Sequence, residues 1–138
     1  MKRTIAVVLG IILICLMLTG CVTTQSGQPK VTFNTMDKGK IKSAIINDFK
    51  KINFKVVSES NDILVLEGKR LGSTGAELMH AIFKMETAGN STTVLIQAFL
   101  KSEASFNRDS YVEDITYGNA GVETLKILQR IKAQVESE

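Results

Sequence analysis

Two alternating segments, residues 78–87 and 92–102, place the strongest constraint on what this 138-residue chain can fold into. They flank the turn sequence Ala-Gly-Asn-Ser, so we predict a β-hairpin centred on Gly89 and Asn90. This turn pairs eight apolar residues on one face: Met79 with Leu100, Ala81 with Ala98, Phe83 with Ile96, and Met85 with Val94. A shift of one residue would move the whole apolar set to the opposite face, so the pattern also fixes the register.

The opposite face of the predicted hairpin is mixed, as in a sheet that leaves one face outside the core. It pairs His80 with Phe99, Ile82 with Gln97, Lys84 with Leu95, and Glu86 with Thr93. We predict that Ile82, Leu95 and Phe99 form a surface for a protein partner, because apolar patches among polar groups are typical of binding sites. In the alternative interpretation, residues 104–117 fold over this face.

Two further segments have the apolar spacing of amphipathic helices. We predict a helix over residues 38–51 with Asp37 as its N-cap, and a second over residues 120–135 with Asn119 as its N-cap. The predicted buried positions are Ile41, Ile45, Phe49 and Ile52 in the first helix, and Val122, Leu125, Leu128, Ile131 and Val135 in the second. A short helical turn is predicted over residues 109–115.

Three more strands are predicted before the hairpin, over residues 31–33, 53–59 and 63–68, with Phe54 and Val56 on one face of the second. We therefore expect an α+β domain in which a four-stranded antiparallel meander packs one face against two helices, with a short additional edge strand at residues 31–33. This element order resembles the helix-grip or TBP-like folds of small envelope lipoproteins, such as the C subunit of the outer-membrane β-barrel assembly machinery. The resemblance implies a fold and transfers no functional residue.

The first 21 residues differ from the rest of the chain. Two basic residues precede an uncharged apolar run over residues 5–18, which suits a signal peptide and is short for a bilayer span of about 20 residues. The run ends in Leu18-Thr19-Gly20-Cys21, which resembles the lipobox of bacterial lipoproteins. This resemblance implies that residues 1–20 are removed and that Cys21 receives a thioether-linked diacylglycerol. A transmembrane anchor and an ordinary cysteine after a secretory signal are the alternatives.

The lipobox also predicts a location. Two acyl chains hold a protein stably on a membrane, since each buried methylene contributes about 0.8 kcal/mol. Val22 stands where Asp usually marks inner-membrane retention in Gram-negative lipoproteins, so the resemblance implies the inner leaflet of the outer membrane if the source is Gram-negative. We then expect residues 21–30 to be the lipidated cysteine and a flexible tether, and residues 31–138 to form a single domain.

The mature chain offers few groups for catalysis or metal binding. Cys15 would leave with the signal peptide and Cys21 would be blocked, which excludes thiol chemistry and disulfides. His80 is the only histidine, and no partner for acid–base chemistry is evident near it in the sequence. Asp109, Glu113 and the neighbouring Asp114 offer too few oxygen ligands for a cation. We expect no catalytic residue, no metal and no cofactor.

The net charge and the positions of the lysines limit the kinds of partner that this chain could bind. The net charge of +3 is too small to indicate nucleic-acid binding. Six lysines lie in the half of the chain nearest the predicted lipid, and they are open to two interpretations, lipid headgroup contact or a solvated helix face. They are Lys38, Lys40, Lys42, Lys50, Lys51 and Lys55.

We therefore expect a membrane-anchored module that binds an envelope protein or serves envelope assembly, and that is not an enzyme. The alternative is a carrier of a small apolar ligand or lipid, with adaptable methionines in its cavity. That cavity would be lined by Met79, Phe83, Met85, Ile96 and Leu128. A hydrolase is a third hypothesis, with His80 as its best candidate residue.

Overall fold

The sheet is built outward from the long central hairpin. The computed structural model describes residues 27–73, 77–101 and 111–138. The predicted signal peptide, Cys21, residues 21–26 of the tether, Asp109 and residues 104–110 lie outside the described residues. The elements are β1 (Lys30–Phe33), α1 (Lys38–Lys50), β2 (Lys55–Glu59), β3 (Ile63–Lys69), β4 (Leu78–Ala88), β5 (Ser91–Lys101), β6 (Tyr111–Asp114) and α2 (Asn119–Ser137).

The predicted register of the central hairpin is confirmed. All four apolar pairs, from Met79 with Leu100 to Met85 with Val94, lie opposite each other in β4 and β5, and all eight residues are buried. The mixed face also pairs as predicted, with His80 opposite Phe99. One continuous apolar face was therefore sufficient to set the register.

The sheet is larger than the predicted four-stranded meander. Within the described part of the chain it has six strands, all paired antiparallel, in the order β1-β5-β4-β3-β2, and β6 also pairs with β5. The predicted helical turn is wrong where it can be compared, because residues 111–114 form β6. The C-terminal half of β5 offers unpaired backbone groups beyond the end of β1, and β6 satisfies them.

Both helices pack on the same face of the sheet. Ile41, Ile45 and Phe49 of α1 join Leu128 and Ile131 of α2 in one core cluster with the inward residues of the strands. The Phe49 ring contacts Phe54 and Phe83 edge-on, with centroid distances of 5.2 and 5.4 Å. The fold class is therefore α+β, with an antiparallel sheet and two helices. Within the described residues, no helix is both long enough and apolar enough to span a bilayer.

The end of α1 differs from the prediction, whereas its start does not. Asp37 is the N-cap, and its Oδ1 accepts a hydrogen bond from the Lys40 N–H at 2.9 Å. Ile52, predicted to be buried, is 40% exposed. The helix ends at Lys50, and Asn53 then has a φ of +65°, so the helical spacing no longer applies at Ile52.

The start of α2 also differs. Asn119 is the first helical residue, and the N-cap is Gly118, which makes no side-chain capping bond. Val122, predicted to be buried, is 47% exposed. The helix instead packs Gly121 against the Thr116 backbone, where an added Cβ would lie 1.7 Å from the Thr116 oxygen. This close approach turns Val122 outward and buries Thr124, whose hydroxyl donates to the Ala120 carbonyl at 2.8 Å.

β2 follows the predicted alternation at its start and departs from it after Val56. Val56 lies opposite the core-facing Leu66, on the same face as Phe54 as predicted, but it is 43% exposed at the edge of the sheet. The register then shifts between Val56 and Ser58. Phe54 is buried as expected, over Gly68 of β3. A Cβ at Gly68 would lie 2.4 Å from the Phe54 ring, so only glycine leaves room for it.

Candidate functional site

The face of the sheet turned away from the helices, here called the outer face, carries the charged side chains that are the main candidates for a functional role. It consists of the residues that alternate with the core-facing ones along each strand. Those with described side chains are Lys30, Thr32, Lys55, Ser58, Ile63, Val65, Glu67, Lys69, Leu78, His80, Ile82, Lys84, Glu86, Ala88, Ser91, Thr93, Leu95, Gln97, Phe99, Lys101 and Asp114.

All three residues predicted to form a partner surface lie on the outer face. Ile82, Leu95 and Phe99 are each half-buried. Leu95 lies directly between two lysines, Lys84 in β4 and Lys30 in β1. The structure thus brings the three residues onto one face, and their use by a partner stays a prediction.

His80 has a carboxylate partner that the sequence did not reveal. Glu67 lies directly opposite His80 in the neighbouring strand β3, and the His80 Nε2 is 2.8 Å from the Glu67 Oε2. Lys101 donates to the same Oε2 at 2.8 Å, and the Lys55 Nζ lies 3.2 Å from Oε1. We call Lys55, Glu67, His80 and Lys101 the outer-face ion cluster.

The position of Glu67 explains why the cluster forms there. Leu64 and Leu66 point into the core, so alternation places Glu67 on the outer face of β3. The pairing of β3 with β4 then sets it beside His80, and the pairing of β2 with β3 sets it beside Lys55. Sequence alternation therefore gives the face, whereas the contact itself depends on a register across the long connection between β3 and β4.

Glu67 remains ionised throughout the neutral range. The hydrogen bond from Lys101, with further ones from His80 and Lys55, lowers the pKa of Glu67 from 4.5 to about 2, although burial acts in the opposite direction. Its side chain is only 9% exposed. A carboxylate with so low a pKa is a weak base and holds no proton to donate, so its role is to bind its three donors. The cluster carries surplus positive charge at its two lysines.

The predicted acidic residues separate on β6. Asp114 lies opposite Phe99, and its Oδ1 accepts from the Thr116 N–H at 2.9 Å, whereas Glu113 lies opposite Leu100, a core-facing position. Consecutive strand residues point to opposite faces, so the two carboxylates do not share a site. No group of three or more potential metal ligands occurs among the residues that the structure describes.

A second polar feature lies between the two helices. It is a groove of about 350 Å³ that contains the buried carboxylate of Asp48. The Lys51 Nζ lies 2.8 Å from Asp48, and Lys40 pairs with Glu138 across the groove at 3.2 Å. Its charges are paired within the chain, which makes the groove a weaker candidate for binding than the outer face.

The lysines of the N-terminal half are mostly engaged within the chain. Of the six, all except Lys50 pair with a carboxylate in the described residues. Lys42, which pairs with Glu59 at 3.0 Å, has only 14% of its side chain exposed. Their charge is therefore largely balanced locally, which lowers the attraction they offer to lipid headgroups.

The five residues proposed to line a ligand cavity lie together in the core. Met79, Phe83, Met85, Ile96 and Leu128 are all fully buried and belong to one cluster. They belong to a continuous core that also includes residues of both helices, and a bound apolar ligand stays a prediction.

Comparison of the chain with protein-family models found no matching family, and a search of curated proteins found no match. Function is therefore inferred from the fold, the outer face and the N-terminal sequence.

Proposed function

We propose that this protein is a lipid-anchored, periplasm-facing lipoprotein of the bacterial envelope whose α+β domain binds a protein partner, in envelope assembly or a related task, through the outer face. The observation that carries the proposal is the composition of that face. Half-buried apolar side chains at Ile82, Leu95 and Phe99 lie on the same face as the outer-face ion cluster, while both helices cover the opposite face. Apolar groups with a charged surround are the usual anatomy of a protein interface.

The anchor in this proposal is Cys21, supported by the lipobox sequence that ends there. The tether would join the sheet near Gln28, because the Gln28 amide donates to the Ile96 carbonyl and the Pro29 carbonyl accepts from the Ile96 N–H. Gln28 is seven positions after Cys21, a reach of about 25 Å when the chain is extended. The domain would therefore stay close to the outer membrane. Its element order further supports assignment to the helix-grip or TBP-like folds.

A catalytic function has less support. The His80 ring faces a carboxylate that is already hydrogen-bonded to two lysines, so Glu67 is committed to holding the cluster. Such an arrangement favours a fixed charged surface over proton transfer.

The first test is capture of the full-length protein from its own envelope after cross-linking. A stoichiometric protein partner is expected with the wild-type chain and is expected to be lost with Cys21→Ala, which cannot be lipidated. Leu95→Asp is expected to abolish capture, because it places a charge among the apolar groups of the outer face. Phe99→Asp is expected to do the same, with retained folding checked by circular dichroism.

The matched control is Val122→Asp, which introduces the same charge at an exposed apolar position on α2. It is expected to leave capture unchanged. Normal capture by both Leu95→Asp and Phe99→Asp would refute the outer face as the binding surface.

A further inference from the structure

We infer that the partner segment is acidic, with carboxylates at both of its ends and apolar side chains between them. This inference rests on the proposed binding function and adds the chemistry of the partner. It follows from how charge is distributed over the outer face.

The outer face is cationic in the part of the chain that the structure describes. It carries five lysines, Lys30, Lys55, Lys69, Lys84 and Lys101, and three carboxylates, Glu67, Glu86 and Asp114. Glu67 is buried beneath two of the lysines, and Glu86 pairs with Lys84 at 3.0 Å. Lys30 and Lys69 make no ion pair with any described residue, so their charge is available to a partner.

The lysines occupy two ends of the face. At one end Lys30 and Lys84 flank Leu95 on its two sides. At the other end Lys101 and Lys55 are held in place by Glu67. Leu95 and Lys101 are six residues apart along β5, which is about 20 Å.

Between these ends the surface has an apolar part. Ile82 of β4 lies directly opposite Val65 of β3, and both are half-buried, whereas Gln97 on the other side of Ile82 is polar and exposed. A complementary segment would therefore present apolar side chains over Ile82 and Val65, and carboxylates about 20 Å apart over the two lysine groups. A helix of about 13 residues or a strand of about six has this length. Opposite charges at the rim would orient the segment and speed its association.

The same geometry favours a protein segment over a lipid surface. Apolar side chains that enter a membrane must project beyond the cations that contact the headgroups. Here Ile82 and Leu95 are half-buried, whereas Lys30 and Lys84 are exposed, so the lysines reach outward past the apolar groups. A partner with its own protruding apolar side chains fits this shape.

The experiment uses the full-length protein in nanodiscs of neutral lipid. It is titrated with a synthetic helical peptide of about 14 residues, with glutamates at both ends and leucines between them. A control peptide carries lysines in place of the glutamates. Hydrogen exchange is expected to slow in β4 and β5 with the acidic peptide only, and the affinity is expected to fall as salt is raised.

Charge-reversal variants locate the interaction. Lys30→Glu combined with Lys84→Glu is expected to weaken binding of the acidic peptide about tenfold or more. Lys50→Glu combined with Lys126→Glu makes the same charge change at exposed positions on the helices and is expected to alter the affinity less than twofold. Absence of acidic-peptide binding, or equal effects of the two double variants, would overturn the inference.

Nanodiscs that contain phosphatidylglycerol form the third arm. If these lipids protect β4 and β5 and the acidic peptide does not, the outer face contacts the membrane and the inference is wrong. Failure of the acidic-partner inference can be distinguished from failure of the proposed binding function. Loss of envelope capture with Leu95→Asp, but not with Lys30→Glu and Lys84→Glu, would leave a binding module whose partner is not acidic.

Discussion

The two faces of the sheet are formed by alternate residues of the same strands, but one is a buried apolar core and the other is a mixed charged surface. On the helix-covered face, Phe83 and Ile96 are fully inaccessible to solvent and belong to the apolar core cluster. One residue along, His80 and Ile82 belong to a face that mixes charged, polar and half-buried apolar groups. One apolar face is sufficient to set the register of the central hairpin, which leaves the other face free to carry charge.

The outer face nevertheless buries charge, and this has a cost. Removing Glu67 from water is unfavourable, and the hydrogen bonds from Lys101 and His80 offset that penalty. An apolar pair at these positions would satisfy packing as well. Replacing a buried ion pair by well-packed apolar residues is often neutral for stability, so stability alone does not explain the ion cluster.

The largest expected difference between the faces is at two adjacent residues of β4. Phe83→Ala should lower the free energy of unfolding by about 3–5 kcal/mol, because it opens a cavity in the core. Ile82→Ala should lower it by about 1 kcal/mol, because Ile82 is half-buried on the outer face. Urea denaturation of both variants measures the difference, and equal losses would show that the outer face is also a core.

The second prediction concerns the pH dependence contributed by Glu67. Its folded-state pKa of about 2 lies below the ordinary 4.5, so its stabilisation is present above pH 4.5 and is lost as the pH falls toward 2. The lost contribution is about 3 kcal/mol. Denaturation at several pH values should show this loss in wild type, whereas Glu67→Gln should remove this part of the pH dependence of the free energy of unfolding. Glu86→Gln, at an exposed position on the same face, should keep the same pH dependence as wild type.

The third prediction contrasts neighbouring residues at the end of β3. Gly68→Ala should cost about 1–3 kcal/mol, because the added methyl group overlaps the Phe54 ring on the helix-covered face. Lys69→Ala, on the outer face, should change stability by less than about 0.5 kcal/mol. Thermal melting compares them, and a neutral Gly68→Ala would mean that Phe54 moves aside freely.

The smallest effect is expected where the outer face is fully polar. The hydroxyls of Thr32 and Thr93 lie 2.9 Å apart between β1 and β5. Thr32→Val should cost about 0.5 kcal/mol, and adding Thr93→Val should cost little more, since the pair is already broken. A double-mutant cycle measures this coupling, and additive losses would show that the hydroxyls do not interact.

Strand register is predicted most accurately from the sequence where a single alternating apolar pattern determines it. The alternation from Met79 to Leu100 gives the central register because no competing register buries the same residues. Prediction fails where a close backbone approach decides the orientation, as at Gly121, which turns Val122 outward. It also fails at residues 111–114, a run of only four residues that forms a strand by pairing with the available edge of β5.

The outer-face ion cluster was only partly predictable. His80 was expected on the face away from the core, and alternation from Leu66 would place Glu67 there as well. Their contact depends on the offset between β3 and β4, which a connection of eight residues leaves undetermined. Lys101 and Lys55 join through two further strand pairings, so the cluster is a product of the assembled sheet.

The position of β5 sets a folding order for the chain. β5 pairs along its length with β4, its sequence neighbour, while its other edge is shared by β1 and β6. Contacts between β4 and β5 close a short turn, whereas Lys30 meets Leu95 only after a loop of more than sixty residues has closed. We therefore expect the hairpin to form early as a local nucleus and β1 to dock later. A chain emerging N-terminus first would hold β1 without its partner strand until β5 had been synthesised, and throughout that interval β1 would depend on solvent or another protein to satisfy its backbone.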